Sequence, residues 1–388
     1  MTPGERRAVV VRAALAAGAG AVAVTDAEPD ARAAGRMSAA FARGDFATWG
    51  YDEDYAARAA APRNVLAGAA SIVCLAVPYA SPAPAGRPPL TGRVSNYAWG
   101  DDYHGSVRKL LQTVARVIDG LAGGPATRIV CDTAPLAERA FAARAGLGWT
   151  GKHTNLIVPR LGSYVFLGEI VTTLEIAPDR PLRKSCGACT RCVAACPTGA
   201  LRGDYTIDAT RCISDLTQRT DGIPRDLRPL VGDWVWGCDL CQDVCPPTRR
   251  APADASAFTP RGDGGAYPRL LDLLSLRSGE FKRRFARTAL GWRGAAVLRR
   301  NAAVALGNAL DRGAVPALVR ALAADPHPMV RGHVAWALGR IGSPASLSAL
   351  EDAARVEEDP NVRDEIAAAL AARETFETGP ALKSGRCQ

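Results

Sequence analysis

The chain has 388 residues, of which 48% are apolar and 22% are charged, and its formal net charge is +9. This length and balance exclude a fibrous or disordered protein and predict two or three globular domains. No run of about 20 apolar residues occurs, so we expect no transmembrane helix, no membrane partner and a cytoplasmic location. The surplus of positive charge favours an anionic partner, with nucleic acid as the leading candidate. We expect a monomer.

The N-terminal residues have one feature of an export signal, because Arg6-Arg7 precede an alanine-rich stretch. Arg12 interrupts the apolar run, which makes a twin-arginine signal the weaker interpretation. The segment instead predicts a helix up to Ala17, a turn at residues 18–20 and a buried strand at 21–25. The turn precedes the strand, whereas the glycines of a dinucleotide fingerprint follow one, so we interpret its glycines only as a turn.

Helices alternate with short apolar strands throughout residues 1–177. Further strands are predicted at residues 71–77, 128–131 and 164–175. This alternation indicates an α/β or α+β domain. The proline-rich residues 78–89 predict a long surface loop, and long loops of this kind are often functional.

Eight of the eleven cysteines follow the spacing of a ferredoxin with two [4Fe–4S] clusters. One run, C-x2-C-x2-C-x3-C-P, begins at residue 186, and a second comprises residue 212 and residues 238–246, with its first ligand displaced by an insertion. In such modules the fourth cysteine of a run binds the other cluster. This rule assigns cluster 1 to Cys186, Cys189, Cys192 and Cys245, and cluster 2 to Cys196, Cys212, Cys238 and Cys241. Residues 178–250 are therefore predicted to form a ferredoxin-like electron relay.

Structural zinc is the alternative for paired cysteines. Four closely spaced cysteines that end in Cys-Pro fit a zinc site poorly, so we favour the clusters. Cys74 and Cys131 lie in apolar strands and are predicted to be packing residues, and Cys387 is predicted to be an unligated thiol near the terminus.

The C-terminal part of the chain contains an internal repeat. It follows a predicted linker at residues 251–270, which is rich in proline, glycine and small residues. Helical segments that begin at residues 298, 330 and 362 recur with a period of 32 and end in an Ala-Leu pair. Such a period indicates a HEAT-like repeat over residues 271–388, with a generic helical bundle as the alternative.

A basic cluster lies at the start of this repeat. Within 19 residues that contain no acid, the sequence places Lys282, Arg283, Arg284, Arg287, Arg293, Arg299 and Arg300. Basic charge without acidic neighbours repels itself, so we interpret the cluster as a phosphate-binding surface for RNA rather than a solvated helix face. Trp292 within it either stacks on a base or packs between helices.

Several motifs together resemble one known family, and the match covers nearly all of the chain. They are YAWGDDYH at residues 97–104, DTAPLAER at 132–139, AGLGWTGK at 145–152, GSYVFLGEI at 162–170, RCIS at 211–214 and WGCD at 236–239, together with the cysteine runs. On these motifs the chain resembles the epoxyqueuosine reductases.

The resemblance implies a multidomain α+β fold with an α/β cobalamin-binding domain at residues 1–177. The ferredoxin-like domain would cover the corrin and reduce its cobalt, and the helical repeat would contact tRNA. The implied substrate is epoxyqueuosine at the wobble position of tRNAs with a GUN anticodon. Two electrons, from an unidentified donor, and two protons would convert its epoxide into the alkene of queuosine and water.

The family's proton donor falls on Asp132, which follows the predicted strand at 128–131. An epoxide oxygen that leaves as water needs an acid, which agrees with this role. The alternative is that Asp132 caps a helix that begins near Pro135.

The resemblance also implies contacts to cobalamin. For residues 101–104 of the YAWGDDYH motif, the alternative is that they cap and start the following helix. His153 stands where we expect asparagine, which affects one local polar contact. The implied cobalamin contacts are Arg58, Ser95, Asp132, Leu156, Ile157, Val158, Ser214, Cys238 and Asp239.

Two other functions fit parts of the sequence. A reductive dehalogenase also combines cobalamin with two [4Fe–4S] clusters, but that class usually carries an export signal and lacks a basic C-terminal repeat. A non-catalytic electron carrier or RNA-binding protein would leave the motifs at Asp132 and at residues 146–152 without a role.

Overall fold

A four-stranded antiparallel sheet organises the first domain. The computed structural model describes residues 1–253, 258 and 265–378, and the strand order of the sheet is β1-β2-β7-β4. The predicted alternation of helices and strands is confirmed. The strands of the chain are β1 Ala21–Asp26, β2 Ser71–Pro78, β3 Arg93–Val94, β4 Thr127–Val130, β5 Trp149–Thr150, β6 Leu156–Ile157, β7 Val165–Thr172 and β8 Trp234–Trp236.

Helices cover both faces of this sheet because its central strands are apolar on both sides. The helices of the domain are α1 Pro3–Ala16, α2 Ala31–Ala42, α3 Glu53–Ala59, α4 Tyr103–Ala122 and α5 Glu138–Arg144. Alternate strand residues such as Val73 and Ile170 pack with α1 and α4, whereas Cys74 and Val171 pack with Phe141 of α5. Alternate apolar residues of β2 and β7 therefore pack into two different cores.

The N-terminal prediction is confirmed in detail. α1 begins with a capping box between Thr2 and Glu5, and β1 follows the helix after a short turn. Cys74 and Cys131 are buried packing residues, as predicted. Within the residues described, no helix has the length and hydropathy needed to cross a membrane.

The cysteine-rich domain is built from short helices between its cysteines. These helices are α6 Arg191–Ala195, α7 Ile213–Gln218, α8 Arg228–Val231, α9 Leu240–Asp243 and α10 Pro246–Arg249. The parallel pair β3–β8 joins the domain to the first one. Helices of four to six residues are too short to be stable alone, so this domain depends on packing and on its cysteines.

The C-terminal helices form the repeat that the period of 32 residues predicts. They are α11 Leu270–Leu274, α12 Ser278–Phe285, α13 Ala295–Ala309, α14 Val315–Ala324, α15 Pro328–Ile341, α16 Pro344–Val356 and α17 Pro360–Thr378. α13 is buried on nearly every side, because its core continues into Trp99 and Trp236. The repeat thus shares one core with the preceding domain.

Two further predictions concern, in part or in whole, residues that the structure does not describe. Residues 254–257 and 259–264 of the predicted linker are outside it, and so is Cys387. The last linker residues are described: the carbonyls of Ala266 and Pro268 accept hydrogen bonds from the Val94 and Gly92 amides.

The prediction that Arg299 and Arg300 bind tRNA is wrong. Arg300 is fully buried in α13 and Arg299 is 9% exposed. Arg299 pairs with Asp325 at 2.6 Å, and Arg300 donates to backbone carbonyls of the cysteine-rich domain, including that of Leu216 at 2.8 Å. Both guanidinium groups are therefore committed to internal partners that phosphate cannot displace without unfolding.

A candidate active site at the junction of the domains

A carboxyl group lies at the surface where β4 ends. Asp132 is exposed and has a φ of 54°, a left-handed conformation that residues other than glycine seldom adopt. The Tyr103 hydroxyl donates a hydrogen bond to Asp132 Oδ2 at 2.5 Å, and the Asp132 amide donates to Glu138 Oε1 at 2.8 Å. Asp132 is thus positioned by α4 and α5, which lie on opposite faces of the sheet.

The first residues of α5 and α4 show whether Asp132 and residues 101–104 cap a helix. α5 begins at Glu138 with Ala137 at its N-cap and no side-chain cap, so the interpretation of Asp132 as a helix cap is wrong. Asp102 is the N-cap of α4 and accepts a hydrogen bond from the His104 amide. The capping role considered for residues 101–104 is therefore confirmed.

Sequence reasoning assigned no role to two acids next to Asp132. Glu169 is fully buried in the middle of β7, and Glu138 is half-buried at the start of α5. Burial, followed by the charge of Asp132, raises the pKa of Glu138 to about 8. Burial, followed by the Glu138 charge, also raises the pKa of Glu169 well above its usual range. The signal in the sequence was a single acid within an otherwise apolar strand, VFLGEIVT.

Three of the predicted cobalamin contacts meet at one buried point. Ser95 Oγ donates to Asp239 Oδ1 at 2.5 Å and the Asn96 amide donates to Asp239 Oδ2 at 2.7 Å, while Cys238 precedes Asp239 in the chain. Burial raises the pKa of Asp239 to about 7, although these hydrogen bonds lower it. A Cβ on Gly237 would lie 2.5 Å from the Ser95 Cβ, and its φ is +65°. Glycine is therefore required where the two domains touch.

The segment of β5 and β6 is a second group of predicted contacts. Leu156, Ile157 and Val158 are all buried. The Trp149 Nε1 and His153 Nε2 atoms of this segment are buried and have no hydrogen-bond partner in the described part of the chain. The Lys152 amide donates to Cys186 Sγ at 3.4 Å, so the segment also contacts the cysteine-rich domain.

The remaining predicted contacts lie on short helices. Arg58 is exposed on α3, and Ser214 is half-buried at the start of α7. The Ser214 carbonyl and hydroxyl accept hydrogen bonds from Gln218 Nε2, and the Gln218 amide oxygen accepts one from the Tyr97 hydroxyl at 3.2 Å. A hydrogen-bonded chain therefore links Ser214 to the YAWGDDYH motif.

The eight cysteines separate into two groups in space. Burial is the main cause of the raised pKa of Cys192, and the nearby thiols of Cys186 and Cys245 raise this pKa further. Cys245 is likewise close to Cys186 and Cys189. These four cysteines are the set that the crossing rule assigns to cluster 1.

The second group contains the other four cysteines. Burial and then the nearby Cys196 thiol raise the pKa of Cys212, and Cys241 is close to Cys212 and Cys238. Within the described ranges, no three His, Cys, Asp or Glu side chains are arranged to hold a single metal ion. A cubane separates its four thiolates more widely than one tetrahedral ion does.

A basic surface adjoins the candidate acid. Lys282, Arg283 and Arg287 are exposed on α12 and just after it. The Arg287 carbonyl accepts a hydrogen bond from the Asp102 amide at 2.8 Å. The Arg287 backbone thus lies beside the residue that precedes Tyr103, and the exposed Arg287 guanidinium lies 4.0 Å from Asp101 Oδ2. Arg284 is less exposed and pairs with Glu280 at 2.8 Å.

The exposed Trp292 packs across a domain boundary. Its ring, 53% exposed, stacks on Trp49 of the first domain with centroids 6.0 Å apart and an interplanar angle of 18°. The Arg293 guanidinium lies 3.6 Å from the centroid of Trp292. Trp292 therefore contacts another aromatic ring and still presents surface on which a base can stack.

Comparisons with known families agree with this organisation. The family "Epoxyqueuosine reductase QueG, DUF1730" matches residues 59–133, a "4Fe-4S double cluster binding domain" matches residues 185–248, and "HEAT repeats" match residues 293–371. The HEAT-like repeat is thereby confirmed over a generic helical bundle.

Similar proteins and solved structures cover most of the chain. The chain is 35% identical to an epoxyqueuosine reductase of Bacillus anthracis over 82% of its length and 84% of that protein, and 36% identical to that of Bacillus subtilis over 82% and 83%. An epoxyqueuosine reductase solved with an epoxyqueuosine-modified tRNA-Tyr stem loop matches with a TM-score of 0.89 and 32% identity, over 95% of this chain and 99% of that one. A structure from Bacillus subtilis with its catalytic aspartate loop swung out of the active site matches with a TM-score of 0.85 and 32% identity, over 95% and 98%. The chain belongs to the epoxyqueuosine reductase family and is an oxidoreductase.

Proposed function

We propose that this chain reduces epoxyqueuosine at the wobble position of tRNA to queuosine, with cobalamin as cofactor and electrons relayed through two [4Fe–4S] clusters. The observation that carries the proposal is the position of Asp132, an exposed carboxyl held by Tyr103 beside a basic surface. Such a site offers both an acid and a region that attracts a polyanion. A relative of this chain was solved with a modified tRNA stem loop.

The two cysteine groups support the electron relay. Their members combine residues from both runs, as in ferredoxins in which each cluster borrows one ligand from the other run. Cys241 of the second group is also close to Cys192 of the first. Two adjacent clusters allow electrons to pass in steps from the surface to the site.

The residues at the junction fit cobalamin. The corrin is an apolar ring with amide groups on its rim, and the segment of β5 and β6 offers buried apolar side chains together with the unpartnered polar atoms of Trp149 and His153. We propose that this segment, Arg58, Ser95, Ser214 and residues 238–239 hold the cofactor. Cobalamin would supply a metal centre that, when reduced, delivers electrons to an epoxide carbon.

The proposed role of Asp132 is to give a proton to the epoxide oxygen. Tyr103 fixes the carboxyl, because its ring stacks on Phe166 with centroids 4.0 Å apart and an interplanar angle of 6°. The tyrosine hydroxyl can therefore hold Asp132 without moving when substrate binds. A positioned acid of this kind contributes about 10²–10⁴-fold to a rate.

The proposal is tested by anaerobic turnover of epoxyqueuosine-containing tRNA, after reconstitution with iron, sulfide and cobalamin and with a chemical reductant. Nucleoside mass spectrometry measures the product. Loss of one oxygen that requires cobalamin is the expected result. Unchanged nucleoside in the presence of both clusters and bound corrinoid would contradict the proposal.

Neutralising the basic surface is expected to weaken tRNA binding. In the variant Lys282→Gln/Arg283→Gln/Arg287→Gln, the slope of log Kd against log salt should fall by about 2, because each lost phosphate contact removes about 0.7–0.9 from it. Fluorescence anisotropy with a labelled anticodon stem loop measures Kd and its dependence on salt. The control is a variant with the same change in charge, in which Gln replaces Arg12, Arg32 and Arg36, which are exposed on α1 and α2. Equal salt slopes in the two variants would remove α12 from the RNA surface.

Double variants distinguish the crossed cluster assignment from a sequential one. Cys186→Ala/Cys245→Ala should remove only cluster 1 and leave about four of about eight iron atoms, whereas Cys186→Ala/Cys196→Ala should remove both clusters. Iron analysis and electron paramagnetic resonance of the reduced proteins report the result. The reverse pattern would show that each run binds its own cluster.

A further inference from the structure

The most unusual buried group in the first domain is Glu169. It lies in the central strand β7, with Cys74 of β2 and Val130 of β4 as its neighbours in register, and none of it is exposed to solvent. Its side chain points toward α5, because Cys74, Val130 and Val171 form the core on that face. Neither carboxyl oxygen has a hydrogen-bond partner within the described residues. An ionised carboxylate in this position would be very costly, so Glu169 is neutral.

Glu138 lies between this buried acid and the surface. It is the first residue of α5, which covers the same face of the sheet. Its Oε1 accepts the Asp132 amide at 2.8 Å, and its carboxyl is within hydrogen-bonding reach of the Asp132 carboxyl. The Glu138 charge in turn acts on Glu169. Three carboxyl groups therefore lead from the exposed Asp132 to the interior of the sheet.

Within the described residues none of these three carboxyl groups forms a salt bridge. Burial and the Asp132 charge raise the pKa of Glu138, although the nearby Arg139 charge acts to lower it. Arg139 donates to the Thr154 carbonyl, and Arg144 donates to carbonyls at Asp26 and Glu28. Burial raises the pKa of the tyrosine and cysteine side chains around the three acids, which are therefore uncharged at neutral pH, whereas the hydrogen bond to Asp102 raises the pKa of His104. The titratable and charged groups that act on them or are acted on by them are Tyr55 on α3, Cys74 on β2, Tyr97 before α4, Tyr103 and His104 on α4, Cys131 after β4, and Arg139 and Arg144 on α5.

The proposed reaction needs more protons than one carboxyl group holds. An epoxide, two electrons and two protons give an alkene and one water molecule. Asp132 can supply one proton before it must be reprotonated. A bound tRNA loop would cover the exposed face of Asp132 and limit exchange with bulk water, which leaves the protein as the source of the second proton.

We propose that Glu138 is a proton reserve that recharges Asp132 within a single turnover, and that the buried Glu169 behind it stays neutral. Asp132 protonates the epoxide oxygen, the Glu138 proton passes to the Asp132 carboxylate, and Asp132 then protonates the departing hydroxide as water. Glu169 keeps its proton throughout, because an ionised carboxylate in the interior of the sheet would be very costly, and bulk solvent restores the Glu138 proton after the product leaves. Glu138 and Glu169 are positioning residues in this scheme, because only Asp132 touches the substrate. The inference rests on the proposed function.

The first test measures protonation directly and needs neither cofactor nor substrate. At pH 7 the infrared spectrum of the protein should contain carbonyl bands of neutral carboxylic acids, and the difference spectra of Glu138→Gln and Glu169→Gln should each lose one of them. The Glu138 band should disappear as the pH rises through about 8, whereas the Glu169 band should persist. Gln keeps the shape and lacks the exchangeable acid proton, so the fold is retained. If neither variant loses such a band, the reserve does not exist.

The second test measures the pH dependence of turnover. Donation requires protonated Glu138, so wild-type kcat should decrease as the pH rises above about 8. Glu138→Gln should lower kcat at least ~10-fold and should abolish the decrease of kcat at high pH, with KM for tRNA unchanged. Glu53→Gln is the matched control, since Glu53 is the first residue of α3 and is exposed. A Glu138→Gln variant with the wild-type pH profile would overturn the relay, whereas an inactive wild type would contradict the proposed function itself.

Discussion

Replacement of Asp132 by Asn is expected to lower turnover by about 10²–10⁴-fold and to leave both clusters, cobalamin binding and tRNA affinity intact. Asn can accept the hydrogen bond from the Tyr103 hydroxyl that Asp132 Oδ2 accepts at 2.5 Å. It also tolerates the left-handed conformation at this position, where φ is 54°. The variant therefore keeps the geometry and removes only the transferable proton.

The measurement is single-turnover conversion of epoxyqueuosine in tRNA, with iron and corrinoid content determined on the same sample. Tyr103→Phe is an informative companion, because it keeps the acid but removes the group that orients it. We expect its rate to fall between those of wild type and Asp132→Asn. Wild-type turnover by Asp132→Asn would exclude Asp132 as the acid and would also remove the basis for a proton reserve behind it.

Replacement of Arg300 by Met is expected to destabilise the junction between the helical repeat and the cysteine-rich domain by about 3 kcal/mol or more. The Arg300 guanidinium donates to the carbonyls of Leu216 at 2.8 Å, Arg219 at 2.9 Å and Asp221. Burial lowers the pKa of Arg300 to about 9. Met removes every donor and leaves two buried acceptors, the Leu216 carbonyl and Asn301 Oδ1, and two partly buried carbonyls without a partner. A buried acceptor costs about 1–3 kcal/mol when unsatisfied.

Limited proteolysis and thermal unfolding under anaerobic conditions measure this effect. Leu216 and Arg219 lie just after Cys212, which we propose as a ligand of cluster 2, so the variant should also lose iron from that cluster more rapidly. Arg283→Met is the control, because Arg283 is exposed on α12. Equal unfolding temperatures of the two variants would show that the buried guanidinium contributes little.

Local chemistry explains which features were predictable. A cubane accepts only certain cysteine spacings, and the two groups of four close cysteines are those that the crossing rule predicts. A stacked repeat must place equivalent helices at a constant interval, so the period of 32 residues identified α13, α15 and α17. Apolar strands were located because burial on both faces requires continuous apolar residues.

The basic cluster shows where local reasoning failed. Lys282 and Arg300 have the same charge in the sequence, yet the first is exposed and the second is fully buried. The available signal was the composition of α13, AAVLRRNAAVALGNA, which is apolar on nearly every side of the helix. A helix of this kind belongs in a core, and its arginines then need internal acceptors.

The sequence by itself determined the class of cofactor ligation and the order of the domains, since each depends on residues that are close in the chain or on a fixed spacing, whereas Asp132 became the candidate acid through the resemblance of its motif to the family. Only the tertiary structure decided which acids lie behind Asp132 and which arginines reach solvent. Glu169 meets Cys74 and Val130 through strand pairing, and Arg300 meets Leu216 through helix packing. These contacts join residues far apart in the chain, so burial and pKa depend on how the layers stack and not on the neighbours in sequence.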